Sequence, residues 1–237
     1  MALNKRFFFL LLLFINTPFC WAQEEEEGAS VFIDDTYRED QLYIGVTYNL
    51  LTSVPSGVNL QGVSGGIEFG YLRDMPINER RNMAVALGLG LNFDQMGQTL
   101  FIGEEPDEST IFRVLDNTID YDSNRFSTAT IEVPFEFRWR TSTAEEFRFW
   151  RIYTGLRVGY TYWYRARFKQ AGNQVSQTDI PEFDRMRLSA HLSFGYGTFN
   201  FYTSYSINPY FKDAKTVDTG ESIDFRTLKL GIIFYIL

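Results

Sequence analysis

The sequence predicts an all-β fold, an up-and-down barrel of eight antiparallel strands, and three observations support this prediction. Eight segments carry large apolar residues at every second position, which is the period of a β-strand. The connections between these segments are alternately long and short. Tyrosine and tryptophan residues collect at both ends of the apolar stripes, in a chain that is 17% aromatic.

The segment Met83–Phe93 shows the alternation most clearly. Its odd-numbered positions are all large and apolar, whereas the residues between them are small or polar. Because a strand sends successive side chains to opposite faces, this segment has one apolar face and one small-or-polar face. Strands of soluble proteins usually have about 5–6 residues, whereas a tilted strand needs about 9–11 residues to cross a bilayer. The length of the segment therefore favours a membrane-spanning strand.

The same rule holds along the rest of the chain. In chain order, the eight predicted strands are Leu42–Asn49, Gly66–Arg73, Met83–Phe93, Phe126–Arg140, Arg148–Arg165, Arg185–Tyr196, Phe199–Ile207 and Phe225–Leu237. Long connections follow the odd-numbered strands, and short connections follow the even-numbered ones. Outer-membrane barrels have short periplasmic turns and longer extracellular loops. With an even number of strands, both chain termini are expected on the periplasmic side.

The faces opposite the apolar stripes carry charged or titratable residues. These are Glu68, Glu132, Glu136, Arg138, Arg157, Arg187, His191 and Lys229. A soluble lipocalin-like barrel would turn these residues outward and the apolar stripes inward, and the alternation alone allows either orientation. Glycines share the charged faces of the third and fifth segments, and small residues suit the crowded inside of a narrow barrel. They are Gly88, Gly90, Gly155 and Gly159.

Nine aromatic residues near the ends of the stripes predict two girdles at membrane interfaces. They are Tyr48, Tyr71, Trp139, Trp150, Tyr160, Tyr162, Tyr164, Tyr196 and Tyr205. Tyrosine and tryptophan combine an apolar ring with a polar atom, so both interfaces of a bilayer favour them. Together with the glycines, the girdles predict a transmembrane barrel of the outer-membrane type, whose apolar stripes contact lipid.

The N-terminus has the layout of a secretory signal peptide. Lys5 and Arg6 precede the apolar run Phe7–Ile15, and a small residue, Ala22, ends the segment. This layout predicts cleavage after Ala22. We therefore expect a signal peptide over residues 1–22, an acidic periplasmic leader over 23–40 and the barrel over 41–237.

Cys20 suggests a lipoprotein as the alternative. The bulky Phe19 precedes it, where lipoprotein processing requires a small residue. Because Cys20 is the single cysteine of the chain, cleavage after Ala22 leaves a mature protein without disulfides or cysteine metal ligands.

The charge balance excludes one class of partner. The chain has 22 basic and 30 acidic residues and a net charge of −8. Phosphate backbones require a basic face, so we expect no binding to nucleic acid.

The mixture of acids and bases on the inward faces predicts a closed lumen. The interior of an eight-stranded barrel is just wide enough for side chains to fill. Because an unpaired buried charge is costly, we expect opposite charges to pair and to plug the interior. This predicts a barrel without sizeable conductance.

His191 raises the question of catalysis. It is the single histidine of the chain, and it lies between Ser189 and Ser193 on a polar face. Serine–histidine pairs can support acyl transfer. A histidine in mid-strand that points into a packed lumen more often belongs to a structural hydrogen-bond network. We therefore predict no enzyme, no catalytic residue and no cofactor.

The longest connection, Asp94–Arg125, contains a second candidate site. Its acidic residues include Glu104, Glu105, Asp107 and Glu108. These residues offer oxygen ligands for calcium, but a solvated acidic loop is the preferred interpretation, and we predict no metal site.

The same connection is longer than barrel closure requires, and loops beyond about 12–15 residues are usually functional or disordered. Its apolar residues are candidate contacts: Leu100, Phe101, Ile102, Ile111, Phe112 and Leu115. Apolar clusters of this kind mark contacts with a partner or a lid that packs on the barrel's own rim. The sequence leaves both interpretations open.

The last predicted strand resembles the signal by which the barrel-assembly machinery recognises outer-membrane barrels. The residues that carry the resemblance are Lys229, Gly231, Phe234 and Ile236. The usual signal ends on an aromatic residue, whereas this chain ends on Leu237.

Three further segments resemble the PorT-like or "porin family" small outer-membrane barrels of Bacteroidota. They are Tyr43–Val46, Glu132–Arg140 and Tyr153–Tyr160. The resemblance implies the outer membrane of a Gram-negative bacterium, with lipid and lipopolysaccharide as surroundings. From the apolar contacts of the longest connection we hypothesise an accessory or structural subunit of a larger outer-membrane assembly, and the resemblance points to type IX protein secretion as one setting. The alternatives are a free-standing structural or surface-binding barrel that uses its long loops and, less favoured, a lipid-modifying barrel enzyme.

Overall fold

The computed structural model describes residues 40–107, 109–116, 118–141 and 150–236. The strands are β1 (Gln41–Thr52), β2 (Gly65–Pro76), β3 (Met83–Gly97), β4 (Leu100–Glu104), β5 (Thr110–Val114), β6 (Ser123–Arg140), β7 (Trp150–Gln170), β8 (Asn173–Gln177), β9 (Met186–Tyr196), β10 (Phe199–Ser206) and β11 (Arg226–Ile236). The predicted signal peptide, and the predicted leader apart from Asp40, lie outside the described residues.

Eight of these strands close into an antiparallel barrel. Their order around the circumference is β1, β2, β3, β6, β7, β9, β10 and β11, and β11 pairs with β1 to complete the ring. The predicted fold class is therefore confirmed, and each of the eight predicted segments overlaps one barrel strand. Strands β4 and β5 form a separate hairpin, and β8 folds back on β7.

Along each barrel strand the large apolar side chains point outward. On β1, Leu42 and Val46 are 58% and 57% exposed, whereas Tyr43 between them is 2% exposed. The soluble-barrel alternative requires the opposite orientation, because its apolar residues form the core. The outward apolar band instead suits a hydrocarbon surrounding.

The described part of the chain contains no helix that is long and apolar enough to cross a membrane.

Strand β7 contains a bulge that the sequence analysis missed. Its pairing with β6 shifts register between Ala129 and Thr130, so that Tyr162 is an extra residue. Tyr162 and Trp163 are consecutive and both exposed, and the inward and outward faces exchange beyond them. The assignment of Tyr164 to the outward girdle was therefore wrong, because the bulge turns its ring inward, where it is buried.

The long connections cover one end of the barrel, which we call the capped end. They comprise residues 53–64, 98–122, 171–185 and 207–225. An apolar cluster, which we call the cap, joins them over the barrel mouth. It contains Val58, Met96, Leu100, Ile102, Phe112, Phe126, Tyr164, Ala166, Ile180, Phe183, Tyr210, Phe211, Ala214, Ile223 and Phe225. The opposite end, where the short connections lie, is the turn end.

Candidate functional site: the filled lumen and its cap

Nearest the turn end, two arginines of β6 share the carboxylates around them. Arg138 Nη1 lies 3.0 Å from Asp74 Oδ1, and Arg138 Nε lies 3.0 Å from Glu136 Oε2. Arg140 Nη2 lies 3.0 Å from the other Asp74 oxygen. The Arg138 guanidinium also lies 4.7 Å from the centre of the Tyr153 ring, where the ring face attracts a cation. These four charged side chains are fully buried.

In the middle of the lumen, Arg157 joins strands from opposite parts of the ring. Its Nη1 lies 3.1 Å from Glu68 Oε1 and 3.4 Å from Glu132 Oε2. Two tyrosine rings, Tyr43 and Tyr202, lie 5.3 Å and 5.1 Å from its guanidinium carbon. One cation therefore contacts side chains of β1, β2, β6 and β10.

Toward the capped end, Lys229 Nζ lies 2.6 Å from Asp94 Oδ2. The other oxygen of Asp94 accepts a 2.8 Å hydrogen bond from the Asn49 amide. Arg187 stands above this pair and donates a 2.7 Å hydrogen bond to the Asp184 carbonyl. Its guanidinium also lies 4.5 Å from the centre of the Tyr210 ring. Arg187 thus connects the charged lumen to the cap.

The buried charges of the described residues balance. Six acids are buried: Glu68, Asp74, Asp94, Glu132, Glu136 and Asp184. Six bases are buried: Arg138, Arg140, Arg151, Arg157, Arg187 and Lys229. This balance offsets part of the desolvation cost of so many charges in a narrow interior.

Little space remains between these side chains. The cavity between Arg157, Arg187 and Lys229 has a volume of about 20 Å³. A single water molecule needs roughly 10–15 Å³ measured in this way. This part of the lumen is therefore filled by side chains.

Two glycines make room for a lumen tyrosine. A methyl group on Gly70 would lie 2.7 Å from the Tyr43 hydroxyl, and a methyl group on Gly90 would overlap the same hydroxyl. Gly70 and Gly90 are direct neighbours across β2 and β3. The glycine face predicted for β3 is thus occupied by a side chain from another strand.

His191 belongs to the charged network. Its Nε2 lies 3.1 Å from Glu136 Oε1, and both side chains are fully buried. The neighbouring Ser193 hydroxyl lies 3.2 Å from the Tyr235 hydroxyl instead. Among the described residues no serine is hydrogen-bonded to the imidazole, so the nucleophile–base pair that acyl transfer requires is not formed.

The structure places all eight residues of the predicted charge network inside the barrel. Five buried charged residues were not predicted from the sequence: Asp74, Asp94, Asp184, Arg140 and Arg151. Arg140 and Asp74 continue the alternation of Arg138 and Glu68. Arg140 is the last residue of its predicted strand, and Asp74 lies one residue beyond the predicted strand Gly66–Arg73. Sequence analysis also missed four lumen tyrosines, Tyr43, Tyr153, Tyr202 and Tyr235, whose positions on the polar faces were the available signal.

Eight of the nine predicted girdle residues, all except Tyr164, are exposed on the outer wall. Of the residues proposed as an assembly signal, Lys229 points inward and Ile236 points outward.

Three apolar residues of the longest connection, Leu100, Ile102 and Phe112, belong to the cap. Leu100, Ile102, Phe112 and Leu115 are buried, and Phe101 and Ile111 are half-buried. Their interpretation as partner contacts was therefore wrong for the four buried residues. Strands β4 and β5 pair from Leu100–Val114 to Glu104–Thr110 and place these side chains against the barrel's own mouth, as the lid interpretation requires.

Comparison with a model of a known protein family agrees with this architecture. Residues 21–212 match the family described as outer membrane protein beta-barrel domain. No curated protein matches the sequence. Two crystal structures of Ail, the attachment invasion locus protein of Yersinia pestis, are similar. The first is 16% identical, covers 83% of this chain and 97% of Ail, and has a TM-score of 0.36. The second is Ail in complex with the heparin analogue sucrose octasulfate. It is 15% identical, covers 84% of this chain and 99% of Ail, and has a TM-score of 0.37.

The fold and the site define a class of protein: a small transmembrane β-barrel with an apolar wall and a lumen closed by ion pairs. The family match covers most of the chain. The chain belongs to the outer membrane protein beta-barrel domain family, and its location is the outer membrane.

Proposed function

We propose that this protein is a non-conducting barrel that acts as an accessory or structural subunit of a larger outer-membrane assembly. The observation that carries the proposal is the filled lumen, in which Arg138, Arg157 and Lys229 each bind carboxylates from other strands. A barrel without a path for solutes has its outer wall and its ends available for function. Its role is therefore one of anchoring and contact rather than transport.

Planar-bilayer recording tests the closed lumen. Purified full-length protein should insert without stable current steps at neutral pH, because each ion pair would have to break before ions passed. Membrane insertion of the same purified protein is verified independently by protease protection in lipid vesicles. Stable, large unitary conductances would contradict the proposal.

The assembly that we propose is type IX protein secretion in Bacteroidota, on the basis of the PorT-like resemblance. The outer wall supports a lateral contact, since an apolar groove of about 360 Å³ runs across β9, β10 and β11. Thr203 and Gly231 line this groove together with Phe194, Phe201 and Leu230. A neighbouring membrane protein would fill it.

Co-purification in mild detergent followed by mass spectrometry tests the assembly. Thr203→Trp should fill the groove and release the partner, whereas Leu89→Trp on another part of the wall should retain it. Recovery as a lone monomer at every detergent strength would contradict an accessory role.

A free-standing surface-binding barrel is the second candidate, and the ordered cap favours it. The four long connections form one packed structure, which is a rigid base for a binding surface. In that case, replacement of the exposed turn residues Glu104 and Glu105 would abolish the binding of an external ligand and would leave the co-purification of membrane partners unchanged.

We propose that both termini and the turn end face the periplasm, so that the capped end faces outward. A membrane-impermeant maleimide tests this orientation. Lys215→Cys in a capping connection should be labelled on intact cells, and Arg80→Cys at the turn end only after permeabilisation. The C-terminal strand would then be presented to the barrel-assembly machinery from the periplasm.

We propose no catalytic role for His191, because its imidazole is buried beneath the cap and bound to Glu136. His191→Ala should leave the assembly contacts intact and alter only stability. A lipase or acylase activity that His191→Ala abolishes would overturn this assignment.

A further inference from the structure

A group of basic side chains lies on the outer surface near the capped end. Arg125 of β6 and Arg165, Arg167 and Lys169 of β7 all point outward and are exposed. We call them the basic patch. The chain as a whole has a net charge of −8, so this concentration of positive charge on one face is a local feature.

The β7 bulge creates the patch. Beyond the extra residue Tyr162, the outward positions are Trp163, Arg165, Arg167 and Lys169. Without the bulge, the arginines would point into the apolar cap, and the buried rings of Tyr164 and Phe168 would point outward. One inserted residue thus sorts the apolar side chains into the cap and the basic ones onto the wall.

The arginines of the patch are close together and lack carboxylate partners. Arg125 and Arg167 are directly opposite across β6 and β7, a position in which like charges repel. Arg165 is two residues along the same face. Among the described residues, no carboxylate lies within ion-pair distance of Arg125, Arg165 or Arg167, whereas Lys169 lies 2.9 Å from Asp122.

The contacts that these arginines do make are with neutral groups. Arg167 Nη2 donates a 2.9 Å hydrogen bond to Gln174 Oε1. The Arg165 guanidinium lies 5.6 Å from the centre of the Trp163 ring. Both contacts orient a guanidinium along the wall and leave its charge uncompensated, so the patch is complementary to an external anion.

The order of residues along β7 places the patch at the depth of lipid headgroups. Leu156 and Val158 face outward in the middle of the strand, Tyr160 and Tyr162 follow, and the arginines come last. The outward residues of a barrel strand change from apolar to aromatic to charged where the strand passes from the hydrocarbon core into the membrane interface. Lipid headgroups at that depth carry phosphate groups.

We propose that the basic patch binds the phosphate of a membrane lipid headgroup, with Arg125 and Arg167 on one phosphate and Arg165 beside it. A guanidinium presents a planar fork of donors that matches two phosphate oxygens. With the capped end outward, the lipid is a phosphorylated glycolipid of the outer leaflet. The choice of an outer-leaflet lipid rests on the orientation proposed above, whereas the binding itself requires neither a protein partner nor a closed lumen.

The test uses the folded full-length protein in detergent and bisphosphorylated lipid A as the probe, with dissociation constants from native mass spectrometry. Arg125→Gln/Arg167→Gln should weaken binding by roughly tenfold or more, since two charge-assisted hydrogen-bonding groups are removed. The control Arg80→Gln/Lys215→Gln removes the same charge from exposed positions elsewhere and should bind within about twofold of the parent chain, because screened charges far from the site contribute little.

Three outcomes would overturn the proposal. In the first, the patch variant and the control variant bind lipid A with equal affinity. In the second, the parent chain binds dephosphorylated lipid A as tightly as bisphosphorylated lipid A. In the third, inorganic phosphate displaces lipid A at the same concentration as the lipid. The last would indicate a site for free phosphate rather than for a lipid. Misfolding of the patch variant is excluded separately by measuring its unfolding midpoint. Because the substitutions relieve the repulsion between the two arginines, this midpoint should be unchanged or higher than that of the parent chain. Bilayer conductance is recorded on other samples, so failure of the proposed function remains distinguishable.

Discussion

Arg157 shows how a single buried cation holds distant strands together. Its two carboxylate partners, Glu68 and Glu132, come from β2 and β6. A buried charge that loses its partner costs far more than the pair contributes, because the remaining ion is neither solvated nor neutralised.

Arg157→Met is therefore expected to lower the free energy of unfolding by about 3–5 kcal/mol. Urea titration of the protein in lipid vesicles, followed by tryptophan fluorescence, measures the loss. The triple variant Arg157→Met/Glu68→Gln/Glu132→Gln should recover most of it, since no charge is then left unpaired. Equal stability of the single and triple variants would contradict the pairing.

Gly90 illustrates a glycine that is required by a neighbouring side chain. A methyl group at this position would overlap the Tyr43 hydroxyl. Gly90→Ala is expected to destabilise the barrel by about 1–3 kcal/mol, as overpacking of a filled interior does.

Tyr43→Phe removes the overlapping atom, so the double variant Tyr43→Phe/Gly90→Ala should be more stable than Gly90→Ala alone. A double-mutant cycle in urea measures the coupling. Additive effects of the two substitutions would show that the hydroxyl is not what excludes a side chain at residue 90.

At the scale of the elements, the barrel strands followed from the sequence, whereas the cap did not. Alternation in β3 reports which side of the wall each residue faces, because the bilayer outside and the filled lumen inside select opposite side chains. The bulge at Tyr162 interrupts this local rule, and β7 continues with its faces exchanged. In the cap, Phe126 of β6 contacts Phe183 and Phe211, which come from two separate long connections. A single sequence carries no periodic signal for such contacts.

The carboxylate of Asp184 links two of the long connections, and this link is expected to depend on pH. Asp184 accepts hydrogen bonds from the Met186 amide at 3.0 Å and from Asn208 at 3.2 Å, and it lies 2.9 Å from Lys212 Nζ. Burial raises the pKa of Asp184, but the hydrogen bonds from Lys212 and the Met186 amide outweigh it and hold the pKa below its usual range.

A lowered carboxyl pKa stabilises the folded loops above the unfolded pKa of about 3.9, and the contribution is lost as pH falls through the lower folded value. Hydrogen-exchange protection factors of residues 207–225 should therefore be constant from pH 7 to 5 and decline in more acidic solution. Asp184→Asn should start with lower protection and show a weaker decline. The same decline in both proteins would assign the transition to another group.

For the whole molecule, two separate structures close the barrel. The cap covers one mouth with apolar side chains, and the ion pairs fill the lumen below it. The two act on different scales, since the cap depends on loops whereas Arg138, Arg157 and Lys229 bridge strands of the barrel itself. We therefore expect changes in the loops of the capped end to leave the ion pairs of the lumen in place.

Replacement of the β4–β5 hairpin, residues 100–114, by a short glycine–serine linker separates these two contributions. The deletion exposes Phe126 and Phe211 and should make the remaining capping loops sensitive to protease, because the apolar cluster loses three of its buried members, Leu100, Ile102 and Phe112. The barrel should still migrate as a folded species in unheated gels, and planar-bilayer recordings should remain free of stable current steps, since the charged pairs below the cap are unchanged. Unitary openings in the deletion variant, at the protein-to-lipid ratio at which the parent chain is silent, would show that the cap, rather than the ion pairs, is the barrier to ions.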